Sequence, residues 1–253
     1  MNKQQLKALL VTVLFALPFA SQAKLPGILS RFQLGYSFVS NSAQYTSGLK
    51  VDLLGLDTTY KPIDMKTKAA WGFTVGTYFP LKRMGAASSL NLSIDYMYNL
   101  MTWKSEVPFG FESNFVFDGA TVQMALPIGL DLKFGSDAVQ TRSPRLCGTF
   151  GAGVYPSYAI TSLTGAPVTI DPAFAVAPYI KAELGVFAGI CMKVRLLYAI
   201  GDLNYMDIKN NSSGNGQTAE GYNKLVGKSN LAISLLIMPF SYKWQDEHWW
   251  NTY

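Results

Sequence analysis

Seven charged residues at alternate positions of strand-like segments are the side chains best placed to do chemistry in this sequence. Paired carboxylates and amines of this kind can transfer protons, hold an ion or bind one another. Most of them lie two residues from another member of the set, a spacing that puts both side chains on one face of a β-strand. The set comprises Asp95, Asp131, Lys133, Lys181, Glu183, Lys193 and Arg195.

Other candidate chemical groups are sparse. His248 is the single histidine and follows the last strand-like segment, so a Ser–His or Asp–His pair has no histidine at the outer rim. Cys and His residues with metal-ligand spacing are absent, and Asp52, Asp57 and Asp64 lack the ligand spacing of a calcium loop. We therefore predict no enzymatic activity, no metal and no cofactor.

The N-terminus predicts export. Lys3 and Lys7 precede an apolar stretch at 8–20, and Ser-Gln-Ala at 21–23 has the pattern of a cleavage site. Residues 1–23 are therefore predicted to be a signal peptide. The remaining 230 residues, 253 less these 23, suit one domain.

Composition indicates a membrane protein that spans with strands. Hydrophobic residues make up 49% of the chain and charged residues only 15%, too little polar material for an ordinary soluble surface. No apolar segment after residue 23 is long enough for a transmembrane helix, and closed barrels are the alternative that satisfies the backbone in lipid. The net charge of +5, or +3 without Lys3 and Lys7, is not clustered, so nucleic acid is not predicted as a partner.

Period-two alternation of apolar and polar residues organises the chain. In the clearest case Leu92 and Ile94 alternate with Ser93 and Asp95. Segments of this length match what a tilted strand needs to cross the hydrocarbon core. Eight segments show the pattern, at 31–40, 67–79, 89–102, 120–133, 145–155, 175–187, 191–203 and 229–244.

The connections between these segments alternate in length. Outer-membrane barrels have short periplasmic turns and longer extracellular loops. The shorter connections are 80–88, 134–144 and 188–190, and the longer ones are 41–66, 103–119, 157–174 and 204–228.

We therefore predict an all-β fold, a transmembrane antiparallel up-and-down β-barrel of about eight strands, in the outer membrane of a Gram-negative bacterium. The barrel is expected over 24–244, with a C-terminal tail at 245–253. An extra hairpin around 49–59 would raise the count to ten strands.

Aromatic residues near the segment ends are expected to form girdles at the two membrane interfaces. They are Trp71, Phe79, Trp103, Phe134, Tyr155, Tyr158, Tyr205 and Trp244.

The seven charged residues are expected to face the lumen, because an Arg or Lys on the lipid face would cost roughly 2–4 kcal/mol at mid-depth. A turn centred on Gly189 places Glu183 opposite Arg195, which predicts an inward salt bridge. The pair could serve a gate or contact a substrate. We favour a charge network that fills a narrow lumen, because eight strands leave room for little more than side chains.

Cys147 and Cys191 enter an oxidising compartment, which favours disulfides. Both are expected to face inward near the periplasmic end, on the fifth and seventh segments. With one strand between them they would be roughly 9–10 Å apart, beyond disulfide reach. We predict two free, buried thiols.

The order of the segments resembles the small outer-membrane β-barrel proteins of Bacteroidetes, the PorT-like group. The resemblance rests on strand patterns at 77–81, 125–134, 151–155 and 194–201. It covers the chain after residue 23 and implies the barrel and its membrane. Because some members of the group serve protein secretion, it also implies a possible role as an accessory component of secretion.

The predicted function is that of a non-enzymatic, integral outer-membrane barrel with a structural or interaction role through its extracellular loops. The alternatives are a porin-like channel or transporter for a small solute, and an accessory component of an outer-membrane secretion system. The predicted partners are outer-membrane lipid and other envelope or secretion proteins.

Overall fold

The computed structural model describes residues 26–51, 56–59, 62–108, 114–163, 172–214 and 217–244. The predicted signal peptide and the predicted tail, with His248, lie outside these ranges. None of the described helices has the length and apolarity needed to cross a membrane.

Within these ranges, eleven strands form one antiparallel sheet that closes on itself, because β1 pairs with β3 along one edge and with β11 along the other. The strands are β1 Gln33–Val51, β2 Leu56–Thr59, β3 Ile63–Gly85, β4 Ser88–Pro108, β5 Asn114–Ala125, β6 Ile128–Gly135, β7 Leu146–Leu163, β8 Ala173–Phe187, β9 Cys191–Ala199, β10 Leu203–Gly214 and β11 Gln217–Met238. Short helices are α1 Pro26–Leu29, α2 Ser136–Val139 and a 3-10 helix, Pro239–Lys243.

The wall of the barrel contains eight strand positions, as predicted. β5 and β6 follow one another along β4 and β7, with an interruption at Leu126 and Pro127. In the same way β9 and β10 follow one another along β11. β2 pairs with the end of β1, so the hairpin expected around 49–59 is present but adds no strand to the wall.

The four longer predicted connections are wrong in extent, because strands continue into all of them: β1 and β3 into 41–66, β4 and β5 into 103–119, β7 and β8 into 157–174, and β10 and β11 into 204–228. β1, β3, β4 and β11 contain 19, 23, 21 and 22 residues, about twice the length that a membrane crossing requires. The strands paired with them run alongside these extensions and form hydrogen bonds with their backbone N–H and C=O groups. The extensions expose charged side chains such as Asp64, Lys66 and Lys104, and their sequences lack the apolar alternation that marks the lower halves.

The exterior of the lower half is apolar. Large side chains such as Phe150, Ile180, Leu184 and Leu235 are exposed there, and Leu184 is 73% exposed. The chain ends of the barrel and its short connections lie together at the opposite end from the strand extensions, and we name this the periplasmic end. A closed wall with an apolar exterior is a transmembrane β-barrel, which confirms the predicted fold class.

Four of the predicted girdle residues lie inside the barrel instead. Trp103, Tyr155, Tyr205 and Trp244 are buried, whereas Trp71 is exposed on the outer surface. The prediction grouped aromatic residues by their distance from a segment end. Strand alternation, which decides the face, turns Trp103, Tyr155 and Tyr205 inward. Trp244 follows the last strand and the 3-10 helix and is buried against Phe187 instead.

Candidate functional site

The structure buries all seven of the predicted charged residues inside the lower half of the barrel, each no more than 3% exposed. An eighth, Asp137, joins them. We name these eight residues the charge cluster. Four are carboxylates and four are cations, and each cation lies within 4.0 Å of at least two carboxylates. The cluster is therefore electrically balanced.

Arg195 and Glu183 lie directly opposite each other on β9 and β8. The Nε of Arg195 donates to Glu183 Oε1 over 2.6 Å. Its Nη1 lies 3.1 Å from Asp95 Oδ2 but outside hydrogen-bond geometry, so that contact is ionic. Arg195 thus joins strands from both sides of the lumen.

Two lysines, Lys181 and Lys193, connect the Arg195–Glu183 pair to further carboxylates of the cluster. Lys181 Nζ contacts Asp131 at 2.9 Å and Asp95 at 3.3 Å, and it donates to the hydroxyl of Ser93. Lys193 Nζ contacts Glu183 at 3.3 Å. Because these contacts join β4, β6, β8 and β9, the cluster fastens several strands of the wall together.

Asp137 was missed by the sequence prediction because it lies in α2, within the short connection at 134–144. Lys133 Nζ and Lys193 Nζ contact its Oδ2 at 2.8 and 2.6 Å, and Tyr78 donates to its Oδ1. Burial alone would raise the pKa of Asp137, but Lys133 and Lys193 outweigh burial and lower the pKa to about 2. An acidic residue four positions after a lumen lysine was the available signal.

A second layer above the charge cluster is apolar, and the sequence prediction did not identify it. Trp103 and Tyr205 lie at its centre, with ring centroids 5.5 Å apart. Trp103 Nε1 donates to Thr121 Oγ1, and Asn41 Nδ2 donates to the Tyr205 hydroxyl. The layer also includes Met65, Met97, Met101, Tyr155, Tyr179, Leu197, Leu203, Met206, Ile208 and Leu225.

The periplasmic mouth is covered by the segments around the helices. Trp244 stacks on Phe187 with centroids 5.7 Å apart, and its Nε1 donates to the carbonyl of Ser30. Arg142 Nε donates to the carbonyl of Trp244 over 2.6 Å. The lumen is therefore occupied at three levels: the mouth, the charge cluster and the apolar layer.

The two cysteines lie on β7 and β9 with β8 between them, as predicted, but their thiols are closer than this strand spacing suggested. Both thiols are free and buried, but their Sγ atoms are only 3.9 Å apart. Gly185 of β8 pairs with Cys147 and has no side chain to press against its sulfur. The curvature of the wall also brings inward side chains closer together than the backbone spacing suggests.

Within the described ranges, no group of three or more His, Cys, Asp or Glu residues could hold a metal ion. The carboxylates of the charge cluster are neutralised by Lys and Arg instead. Chemically, such an arrangement can hold strands in register and exclude ions from the lumen.

No protein-family model matches the chain, and no curated protein does either. Among solved structures the chain is similar to the outer membrane protease OmpT of Escherichia coli, with 11% identity and a TM-score of 0.38 over 81% of this chain and 96% of that one. It is also similar to the outer membrane protein OprG of Pseudomonas aeruginosa, with 10% identity and a TM-score of 0.37 over 82% and 98% of the chains.

The attachment invasion locus protein Ail of Yersinia pestis is similar too, with 14% identity, a TM-score of 0.31, and coverage of 78% of this chain and 98% of that one. Scores this low carry no argument about activity. The barrel is assigned from its own strand pairing and burial, and an outer membrane is the location that this fold and its apolar exterior indicate.

Proposed function

We propose that the protein is a non-enzymatic, integral outer-membrane barrel with a structural or interaction role at its extracellular end. The filled lumen carries this proposal. The charge cluster, the apolar layer and the covered periplasmic mouth occupy the interior. An eight-stranded barrel has an interior only about wide enough for such side chains, so a continuous aqueous path is not expected.

The strand extensions support a role in contacts outside the cell. They raise a β-sheet wall above the apolar exterior, and that wall bears charged side chains that are exposed to water. Asp64, Lys66, Lys104 and Lys224 are among them. A rigid, polar wall is a suitable surface for other envelope components.

We also propose that the protein is related to the PorT-like barrels of Bacteroidetes. The strand motifs of the sequence support this relationship. A role beside a secretion machine depends on that kinship alone. Co-purification of secretion components with the barrel in mild detergent would favour that role over a purely structural one.

A second candidate is the binding or transport of a small solute. An open surface pocket of about 430 Å³ lies between the start of β8 and β10 and favours the binding of a solute. It is lined by Pro172, Ala173, Phe174, Asn204, Asp207 and Lys209. Its mixed apolar and charged lining would suit a small amphiphilic solute.

Conductance in planar bilayers and swelling of reconstituted vesicles distinguish the two candidates. The filled lumen predicts no conductance above that of protein-free bilayers, and Arg195→Ala should lose thermal stability without gaining conductance. Swelling in sugar solutions or defined conductance steps of the wild type would contradict the first candidate and favour the second. A conductance change in Arg195→Ala at unchanged stability would assign Arg195 to a gate.

A further inference from the structure

Two thiols meet inside the periplasmic end of the barrel, at a point where no part of the proposed function uses them. Cys147 on β7 is 7% exposed and Cys191 on β9 is fully buried. Their Sγ atoms are 3.9 Å apart, although β8 lies between their strands. A disulfide bond is about 2.05 Å long and holds its two Cα atoms within roughly 7 Å of each other, so forming one would bring the sulfurs about 2 Å closer and would also draw the backbones at the start of β7 and of β9 together.

Gly185 makes this contact possible. It pairs with Cys147 on one side and with Lys193 on the other, so an inward side chain at this position would stand beside the Cys147 sulfur. A Cβ atom added there would lie 2.7 Å from Cys147 Sγ, closer than real Cβ atoms approach a neighbour. The missing side chain leaves room for the Cys147 sulfur at this point.

The surroundings of the pair are compatible with a neutral bond. Tyr78, Phe187, Met238 and Trp244 form one buried cluster with the two cysteines. The backbone N–H of Cys191 donates to Ser241 Oγ over 2.6 Å, which holds the start of β9 against the 3-10 helix. A disulfide has no charge, so it can be buried here without a counter-ion.

We propose that Cys147 and Cys191 are a modification site, a dithiol that is oxidised to a disulfide fastening β7 to β9 across β8. This inference depends on passage through the periplasm and is independent of the filled lumen. Both thiols are buried in the finished barrel, so the exchange takes place before the periplasmic end has closed.

The oxidant is a disulfide-bearing thiol oxidoreductase of the periplasm. The thiolate of Cys147 attacks its disulfide, so that a mixed disulfide forms and one oxidant thiolate leaves. The thiolate of Cys191 then attacks Cys147 Sγ and releases the second oxidant thiolate. The two cysteines lose two electrons and two protons, and the oxidant becomes a dithiol.

Alkylation of the full-length protein tests the proposal. Protein from outer membranes is acid-quenched, denatured without reductant, treated with N-ethylmaleimide and digested. We expect the Cys147 and Cys191 peptides to be recovered as one linked pair, about 2 Da lighter than the two reduced peptides together. Alkylation of both cysteines in this sample would overturn the proposal. Cys147→Ser should leave Cys191 fully alkylated.

A matched pair of glycine variants tests the geometry. Gly185→Ala places a methyl group against Cys147 Sγ and should raise the fraction of free thiol at least tenfold. Gly148→Ala is the control, because the nearest atom to its added Cβ is 3.8 Å away. Heat-dependent migration in gels identifies folded samples. Equal disulfide yields in two folded variants would contradict the role of Gly185, and the wild-type result decides the proposal if Gly185→Ala does not fold.

Discussion

Arg195 and Glu183 form a directly opposed pair between β9 and β8, joined by a hydrogen bond of 2.6 Å. Both side chains are buried, with Arg195 0% and Glu183 2% exposed. Removing one partner would leave the other as a buried, partly uncompensated charge, which is the most costly change that such a site can suffer.

Arg195→Met should therefore destabilise the barrel by about 3–5 kcal/mol, because it keeps much of the volume but removes one of the four cations. The double variant Arg195→Met, Glu183→Gln should lose less, since three carboxylates then face three cations. Urea unfolding of the barrel in detergent or vesicles measures both. A double variant that is less stable than the single one would show that the balance of charge is not what matters.

Lys228→Met is the control for this comparison. Lys228 and Asp202 also form an ion pair, with 3.4 Å between Nζ and Oδ1, but their side chains are 49% and 62% exposed. Exposed pairs contribute at most about 1 kcal/mol. A loss of stability in Lys228→Met as large as that in Arg195→Met would contradict the role assigned to burial.

Acid should weaken the charge cluster through Asp137. Its pKa in the folded protein is about 2, below the ordinary value of 3.8, because the effect of burial is outweighed by Lys133 and Lys193. The stabilisation is present above pH 4 and is lost as the pH falls from about 4 to about 2. The shift corresponds to about 2 kcal/mol.

Asp137→Asn isolates this contribution, because an asparagine has no carboxyl group that acid can protonate. Its stability should fall less steeply between pH 4 and pH 2 than that of the wild type, in unfolding curves measured at each pH. If Asp137→Asn and the wild type had identical slopes, Asp137 would not be held ionised by the lysines.

A charge placed on the apolar exterior should be as harmful as the loss of one inside. Leu184→Arg is expected to destabilise the folded barrel in vesicles by about 2–4 kcal/mol, since its side chain is exposed where lipid surrounds the wall. Asp118→Arg, on the polar exterior nearer the extracellular end, should change stability by no more than about 0.5 kcal/mol. Equal effects at the two positions would place Leu184 outside the membrane.

Period-two alternation was enough to predict eight wall strands and the inward face of each, because lipid leaves only one face for ionic side chains. Lys181, Glu183, Lys193 and Arg195 lie at such positions, and the structure buries all four. The turn at Gly189 aligned Glu183 with Arg195, since a three-residue link leaves little freedom of register.

What could not be predicted depends on contacts between distant segments. Asp137 enters the lumen because α2 folds inward, and no local pattern marks such a turn. The apolar layer around Trp103 and Tyr205 requires knowledge of which strands face each other across the barrel. The thiol contact needed the curvature of the wall and the missing side chain at Gly185.

The alternation of faces is tested most directly by two neighbouring residues of β8 at nearly the same depth. Tyr179 is buried in the lumen, and Ile180 is 52% exposed on the outer surface. With the native tryptophans replaced by phenylalanine, Tyr179→Trp and Ile180→Trp each supply one fluorophore in vesicles of brominated lipid. The structure predicts strong quenching of Ile180→Trp and little quenching of Tyr179→Trp. Quenching of Tyr179→Trp as strong as that of Ile180→Trp would contradict the inward face on which the whole interpretation depends.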